Sequence, residues 1–249
     1  MVTKTKKIVK NGKGTLDTAR VSKNRLEVPP IRVGSVKLRV EGTSPLIIHS
    51  WDQKVIDEMA DKQGGKATKK KEPKDPRECY FGCMYILDGE PRLDQADDLV
   101  SISSEDADAI HGVPCASFRK SMVRAAKLAG AVMTDTRCGF LIKGSTHHPY
   151  FQSGTLTELE FDSVERHRDM VRISGGTADI RYRPYYTGWS AVLTIDYTSS
   201  MIEVDQLVNL ARLAGYSVGV GEWRPERDGI FGRFQVDPKG ISDVVYTEL

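Results

Sequence analysis

The sequence has few cysteines, no long apolar run and no common catalytic motif. Its four cysteines do not form two CxxC pairs, so a zinc site of that kind is not predicted. No apolar run approaches the roughly 20 residues that a transmembrane helix needs, and the basic N-terminus lacks the apolar segment of a signal peptide. A P-loop, a Rossmann glycine fingerprint, a nucleophile elbow and an HExxH helix are all missing. We therefore expect a cytoplasmic protein with free thiols, no bound metal and no cofactor.

What the sequence does have is the composition of a soluble globular protein, with its charge arranged in blocks. Of 249 residues, 39% are hydrophobic and 28% charged, and the net charge is only +2. Residues 1–28 and 62–77 are basic, whereas residues 88–108 are acidic. We expect a flexible basic arm over residues 1–30 and a single domain over 31–249, with a mobile basic insertion around 62–77. Solvation of flexible loops is the alternative explanation of each block.

Hydrophobic periodicity predicts an α+β protein. Residues 33–40 and 190–197 alternate as strands do, and residues 118–129 carry the apolar stripe of an amphipathic helix, with Ser117 as its N-cap and Gly130 beyond its end. A second helix follows residue 200, and residues 80–87 have the pattern of a further strand. Two strand–helix–strand runs predict a ferredoxin-like (RRM-like) βαββαβ core with insertions.

Two segments have the residue types that contact polyanions. Residues 219–234 combine four glycines with Arg224, Arg227 and Arg233, and glycine allows close backbone approach while arginine forks suit phosphate oxygens. Residues 166–186, a candidate projecting hairpin, interleave tyrosines with arginines that include Arg172, Arg181 and Arg183, a mixture that suits single-stranded nucleic acid. The alternatives are an ordinary glycine-rich turn and a half-buried strand with solvated arginines.

Three stretches, in order, resemble the RAMP superfamily, the fold of CRISPR effector backbone and crRNA-processing proteins. They are residues 36–48, an opening strand with its Pro-Leu turn, residues 112–126, a helix start, and residues 219–234, a C-terminal glycine-rich loop. The helix start has Cys115-Ala116-Ser117 where Gly-Ser-Ser is usual, and the chain is short for a backbone subunit. Its loop sequence, Gly-Glu-Trp-Arg-Pro-Glu-Arg, looks more like that of proteins encoded by bacteriophages.

The resemblance implies a groove for a nucleic-acid strand. The helix N-terminus at Ser117 and Arg119 would offer N–H groups to a phosphate, and Lys120 and Arg124 would follow the backbone. The loop from Gly221 to Arg233 would close the groove. We expect the helix and the loop to lie side by side.

The leading hypothesis is a non-catalytic protein that binds single-stranded RNA or DNA, with RNA the favoured ligand, and oligomerises along the strand; contacts to the 2′-OH, which separate the two, have no sequence signature. Two alternatives stay open. One is an endoribonuclease on the same scaffold, with the adjacent His147 and His148 as acid–base candidates. The other is a phage assembly or structural protein whose charged blocks drive subunit contacts.

Overall fold

The structure is a computed structural model that describes residues 30–51, 53–65, 75–90, 101–103, 109–147, 155–172 and 178–248. The predicted basic arm, apart from residue 30, the core of the predicted basic insertion (66–74) and His148 lie outside these ranges. All elements named below belong to one unit, Ile31–Leu249. None of the described helices is long and apolar enough to cross a membrane.

A large antiparallel sheet is built around β1, Arg32–Gly42. Its strands lie in the order β12-β1-β11-β8-β5-β3, with β13 also paired to β1, β6 to β11 and β7 to β8. The bounds are β3 Ile86–Gly89, β5 Ala109–Pro114, β6 Phe140–Lys143, β7 Thr146–His147, β8 Thr155–Glu160, β11 Ser190–Thr198, β12 Phe234–Ile241 and β13 Val245–Glu248. Alternate residues of β1, namely Val36, Leu38 and Val40, are buried, as period-two alternation requires.

Three of the five described helices, the third to the fifth in chain order, pack against this sheet. The described helices are α1 Gln53–Gln63, α2 Pro76–Phe81, α3 Cys115–Leu128, α4 Met133–Gly139 and α5 Val204–Leu213, the last continuing into a π-helical turn, Ala214–Val218. The predicted stripe of α3 is buried at Phe118, Met122 and Ala125. Phe118 meets Trp189 and Phe234 with ring centroids 6.4 and 5.6 Å apart, which joins α3 to the strand that follows the glycine-rich segment.

One local prediction is wrong and another holds only in part. Of the strand predicted at 80–87, residues 86–87 begin β3, whereas residues 80–81 end α2. Helix α2 forms because Asp75 accepts a hydrogen bond from the backbone N–H of Arg77 and Pro76 occupies a favoured first helical position. Ser117 does not cap α3: the chain passes directly from β5 through Pro114 into the helix, so Ser117 lies within the first turn. Gly130 does take a positive φ just beyond α3, as predicted.

A smaller, four-stranded sheet stands beside the first. Its order is β2-β10-β9-β4, with β2 Leu46–Ile47, β4 Ser101–Ser103, β9 Ser163–Arg172 and β10 Ala178–Thr187. Beyond residue 165 of β9 and before residue 185 of β10, the two long strands pair only with each other among the described residues. The molecule is therefore α+β with antiparallel sheets, and the finer expectation of a βαββαβ ferredoxin-like core stays a prediction.

Candidate nucleic-acid interface

The glycine-rich loop, residues 219–233, folds back on itself and packs on β2. Its two arms are joined by hydrogen bonds from the N–H of Val220 to the carbonyl of Gly232 (2.9 Å) and from Phe231 to Trp223 (3.0 Å). Gly221 has a φ of 74°, and a Cβ there would overlap the carbonyl oxygen of Ile47. Gly221 is therefore required by its close approach to Ile47 within the protein. The sequence pattern had predicted a close approach to a ligand instead.

Helix α3 and the loop lie side by side, joined through one carboxylate. The Nε of Arg124 lies 2.8 Å from Oε1 of Glu226, and the Nη2 of Arg224 lies 2.8 Å from its Oε2. Arg224 also donates from Nη1 to the carbonyl of Gly221 (3.0 Å). Two of the predicted phosphate-binding arginines therefore share Glu226, which offsets half of their combined charge.

The other residues predicted for this groove have varied surroundings. Arg119 donates to the carbonyl of Arg137 (2.7 Å), and the guanidinium of Arg233 stacks over Tyr216 at 4.5 Å. Lys120 and Arg227 are exposed. Because Pro114 and Cys115 at the start of α3 are buried, the expected phosphate cradle at Ser117 and Arg119 is not at an open helix end.

The charged residues on one face of the β9–β10 hairpin are all cationic. Residues opposite each other in an antiparallel pair share a face, and alternate residues of one strand do so too. We call the following set the arginine face: Arg166 with Pro184, Arg168 with Tyr182, Met170 with Ile180, and Arg172 with Ala178. It carries three arginines and no acidic residue.

Two apolar residues of the arginine face are exposed, whereas Pro184 is buried and Tyr182 is partly buried against the core. Met170 is 74% exposed and Ile180 is 48% exposed, although both are apolar. The guanidinium carbon of Arg166 lies 5.9 Å above the ring of Tyr182. None of the three arginines is paired with a carboxylate among the residues that the structure describes. Cations interleaved with flat or apolar side chains are a surface on which phosphates and bases can both bind.

The opposite face of the hairpin, which we call the histidine face, is balanced in charge. It carries His167 with Arg183, Asp169 with Arg181, and Val171 with Asp179. Arg183 is only 5% exposed, and its Nη1 lies 2.8 Å from Oε1 of Glu222 in the glycine-rich loop. Two of the predicted binding residues, Arg181 and Arg183, are thus on the side away from Arg172.

The glycine-rich loop covers the histidine face. The ring of Phe231 meets Tyr185 edge-on at 5.7 Å and His167 at 6.2 Å, and His167 stacks on Tyr185 at 5.6 Å. Glu222 and His167 therefore lie at the histidine face, although neither was predicted as a binding residue. Glu222 could have been included because it lies inside the glycine-rich motif. The place of His167 beside Arg183 is visible only from the pairing of β9 with β10.

Two cations on the outward face of the large sheet, Arg39 and Lys143, are used in local ion pairs. Arg39 is paired with Glu160, whose pKa is lowered by hydrogen bonds from Arg39 and Ser190. Lys143 lies 2.7 Å from Asp196. These pairs leave less free positive charge there than on the arginine face.

The structure does not test the two catalytic candidates. His147 lies in the backbone pairing of β7 with β8, and His148 is outside the described residues, so the endoribonuclease alternative stays a prediction. Within the described ranges, no group of three or more His, Cys, Asp or Glu residues is arranged to hold a metal ion.

Comparisons with known proteins give a loose structural likeness. No protein-family model matches the sequence, and no curated protein matches it. Among solved structures, Csc2 of Thermofilum pendens is similar at 12% identity, covering 87% of this chain and 67% of its own, with a TM-score of 0.30. At that TM-score the function has to be inferred from this chain's own residues.

Proposed function

We propose that this protein binds single-stranded nucleic acid, RNA rather than DNA, without cleaving it, and that copies assemble along the strand in a bacterial or phage-infected cytoplasm. The observation that carries the proposal is the arginine face, where Arg166, Arg168 and Arg172 alternate with Tyr182, Met170 and Ile180 and no carboxylate intervenes. Phosphates take the charge, while bases stack on or pack against the flat and apolar side chains.

The helix–loop groove is a second, weaker contact in this proposal. Arg124 and Arg224 share Glu226, so the pair contributes less positive charge than two free arginines. The exposed Lys120 and Arg227 supplement it. Binding of the nucleic acid therefore depends mainly on the arginine face of the hairpin and less on the helix–loop groove.

A triple variant tests the proposal. Arg166→Gln, Arg168→Gln and Arg172→Gln together remove three cations from the arginine face. Each phosphate contact on a single strand contributes about 0.7 to the slope of log K against log salt, so the slope should fall by about 2. At about 0.1 M salt the same relation predicts a loss of about 100-fold in affinity. Fluorescence anisotropy with a labelled 30-nucleotide RNA, repeated over a series of NaCl concentrations, measures both.

The matched control removes the same charge elsewhere. Lys37, Arg212 and Lys239 are exposed cations outside the hairpin, and changing all three to Gln alters net charge equally. We expect this control to retain most of the affinity and most of the salt slope. Equal losses in the two triple variants would show that binding is a non-specific charge effect, and the proposal would be wrong.

Assembly along the strand has its own measurement. Mass photometry with RNAs of increasing length should show complexes whose mass rises in steps of one subunit, and a DNA strand of the same sequence should compete less well. A single protein per RNA at every length would reject the assembly part of the proposal and leave binding intact.

A further inference from the structure

Strand register brings two histidines to the two sides of a buried arginine. Ile47, the last residue of β2, pairs with Tyr185 of β10, and extending this antiparallel register two residues beyond the strand predicts His49 beside Arg183, whose charge acts on His49. On the other side, Arg183 pairs with His167 of β9. Because neighbouring strands lie about 4.8 Å apart, this register predicts that the three side chains form a row about 10 Å long on the histidine face.

Electrostatics agree with this geometry. Burial first, and then the positive charges of Arg183 and Arg181, lower the pKa of His49 to about 4. The imidazole of His49 is therefore neutral at pH 7, where it can donate one N–H bond without adding charge to the row.

Arg183 needs an anion, and Glu222 supplies it imperfectly. A guanidinium that is 5% exposed is costly unless it is paired and hydrogen-bonded. The Nη1 of Arg183 lies 2.8 Å from Oε1 of Glu222. Although the two atoms are close, this buried nitrogen makes no hydrogen bond, so its N–H groups do not point at the carboxylate oxygen. By contrast, Arg224 does donate to Glu226 at 2.8 Å. The Arg183–Glu222 contact is therefore short but poorly aligned.

The carboxylate of Glu222 is replaceable without moving the loop. The backbone N–H of Glu222 donates to Ile47 (2.8 Å), and that of Gly232 donates to Pro45 (2.7 Å), so the loop backbone is fixed to β2 and the turn before it. The Glu222 side chain is 34% exposed, and burial raises the pKa of its carboxyl group. Rotation of this one side chain into water would relieve that desolvation and open Arg183.

We propose that the His49–Arg183–His167 row is a binding site for the terminal phosphate of a nucleic-acid strand, whose oxygens replace the Glu222 carboxylate on Arg183. The phosphate would accept hydrogen bonds from the guanidinium and from the imidazole N–H groups on either side. A terminal phosphate fits better than an internal one, because Arg183 is buried and a continuous backbone would have to approach and leave it past the same Glu222 side chain. This inference rests on the proposed function, since it concerns an end of the strand that the arginine face holds.

The first experiment needs no variant. Four RNAs of one sequence, carrying a 5′-phosphate, a 3′-phosphate, both or neither, are compared by anisotropy with the intact protein. A phosphate at one end should tighten binding about tenfold, the effect of one net charge-assisted hydrogen bond. Inorganic phosphate should compete away this increment but not the binding of the RNA with two hydroxyl ends. Equal affinity for all four RNAs would overturn the proposal.

The second experiment uses Glu222→Gln. Removing the competing charge from Arg183 should enlarge the preference for the phosphate-ended RNA by a further several-fold. The control is Asp228→Asn on the same loop, which removes the same charge from an exposed residue at a φ of 58° that asparagine tolerates. That control should leave the preference unchanged, and identical behaviour of the two variants would count against the site.

His49→Gln and His167→Gln should each reduce the preference for the phosphate end without changing affinity for the RNA that has two hydroxyl ends.

These experiments also distinguish a failure of the phosphate-end site from a failure of the proposed function. If all RNAs bind alike but binding still depends on the arginine face, the end site is wrong and the proposed function stands. If the arginine-face variant binds as the wild type does, the proposed function fails, whatever the ends of the RNA do.

Discussion

The buried pair His111 and Tyr186 should make the stability of this protein depend on pH. His111 is 3% exposed on β5, its Nδ1 lies 2.9 Å from the hydroxyl oxygen of Tyr186, and the ring of Phe161 approaches edge-on at 4.9 Å. Tyr186 is itself fully buried, which raises its pKa well above the usual value and keeps it protonated. The neutral imidazole is thus satisfied by one neutral partner in an otherwise apolar site.

The sign and size of the effect follow from burial. Burial lowers the pKa of His111 from 6.5 to about 4. Between those two values the unfolded chain binds a proton that the folded protein excludes, so the free energy of unfolding falls as pH is lowered from 6.5 towards 4. The full loss is about 3 kcal/mol, of which about 2 kcal/mol is reached at pH 5. Above about pH 7.5 this residue contributes almost no pH dependence, because the unfolded chain no longer binds the proton either.

Urea unfolding of the wild type and of His111→Gln, at pH 7.5 and at pH 5.0, measures the effect. Glutamine has a similar reach, can hydrogen-bond to Tyr186 and does not titrate, so other ionisable groups cancel in the comparison. The variant should be less stable at pH 7.5 but should lose about 2 kcal/mol less than the wild type on going to pH 5.0. Parallel stability changes for the two proteins would refute the assignment of a neutral, buried histidine.

Local pattern was sufficient to predict most elements of this fold. The alternation of residues 33–40 and 190–197 corresponds to β1 and β11, and the apolar stripe after Ser117 corresponds to α3. These segments are long and strongly periodic, and their period is set by backbone geometry alone. Only residues 86–87 of the strand expected at 80–87 are in a strand, because a capped turn at Asp75 and Pro76 outweighs a short run of β-forming residues at 80–81.

Charge pairing could not be predicted from the same pattern. Glu222 and Glu226 lie within the motif that suggested a polyanion site, yet each neutralises an arginine of that site or of a neighbouring element. Their partners, Arg124 and Arg183, are distant in sequence, and only the tertiary fold brings them together. Counting arginines in a motif therefore overestimates the positive charge that is free to meet a ligand.

Strand register decides which cations remain free. A shift of one residue in the pairing of β9 with β10 would exchange the two faces of a strand. The register therefore decides that Arg172 and Arg183 lie on opposite faces of the hairpin, which the residue composition cannot tell. The row formed by His49 and His167 also depends on β2, a strand of two residues that no periodicity argument detects. The fold class was accessible from sequence, whereas the division of the hairpin into two unlike faces was not.

Two further predictions concern packing. Phe118→Ala should cost about 3–5 kcal/mol, because it removes a fully buried ring that joins α3 to Phe234, whereas Leu128→Ala, at an exposed position of the same helix, should change stability by no more than about 0.5 kcal/mol. Gly221→Ala should lower the melting temperature more than Gly130→Ala, although φ is positive at both glycines. At Gly130 nothing lies within 4 Å of an added Cβ, so alanine there costs about 1 kcal/mol of backbone strain. At Gly221 the same strain is joined by overlap with the Ile47 carbonyl, which would push the glycine-rich loop away from β2. Equal melting temperatures for the two glycine variants would mean that the loop is not held against β2 by this close approach.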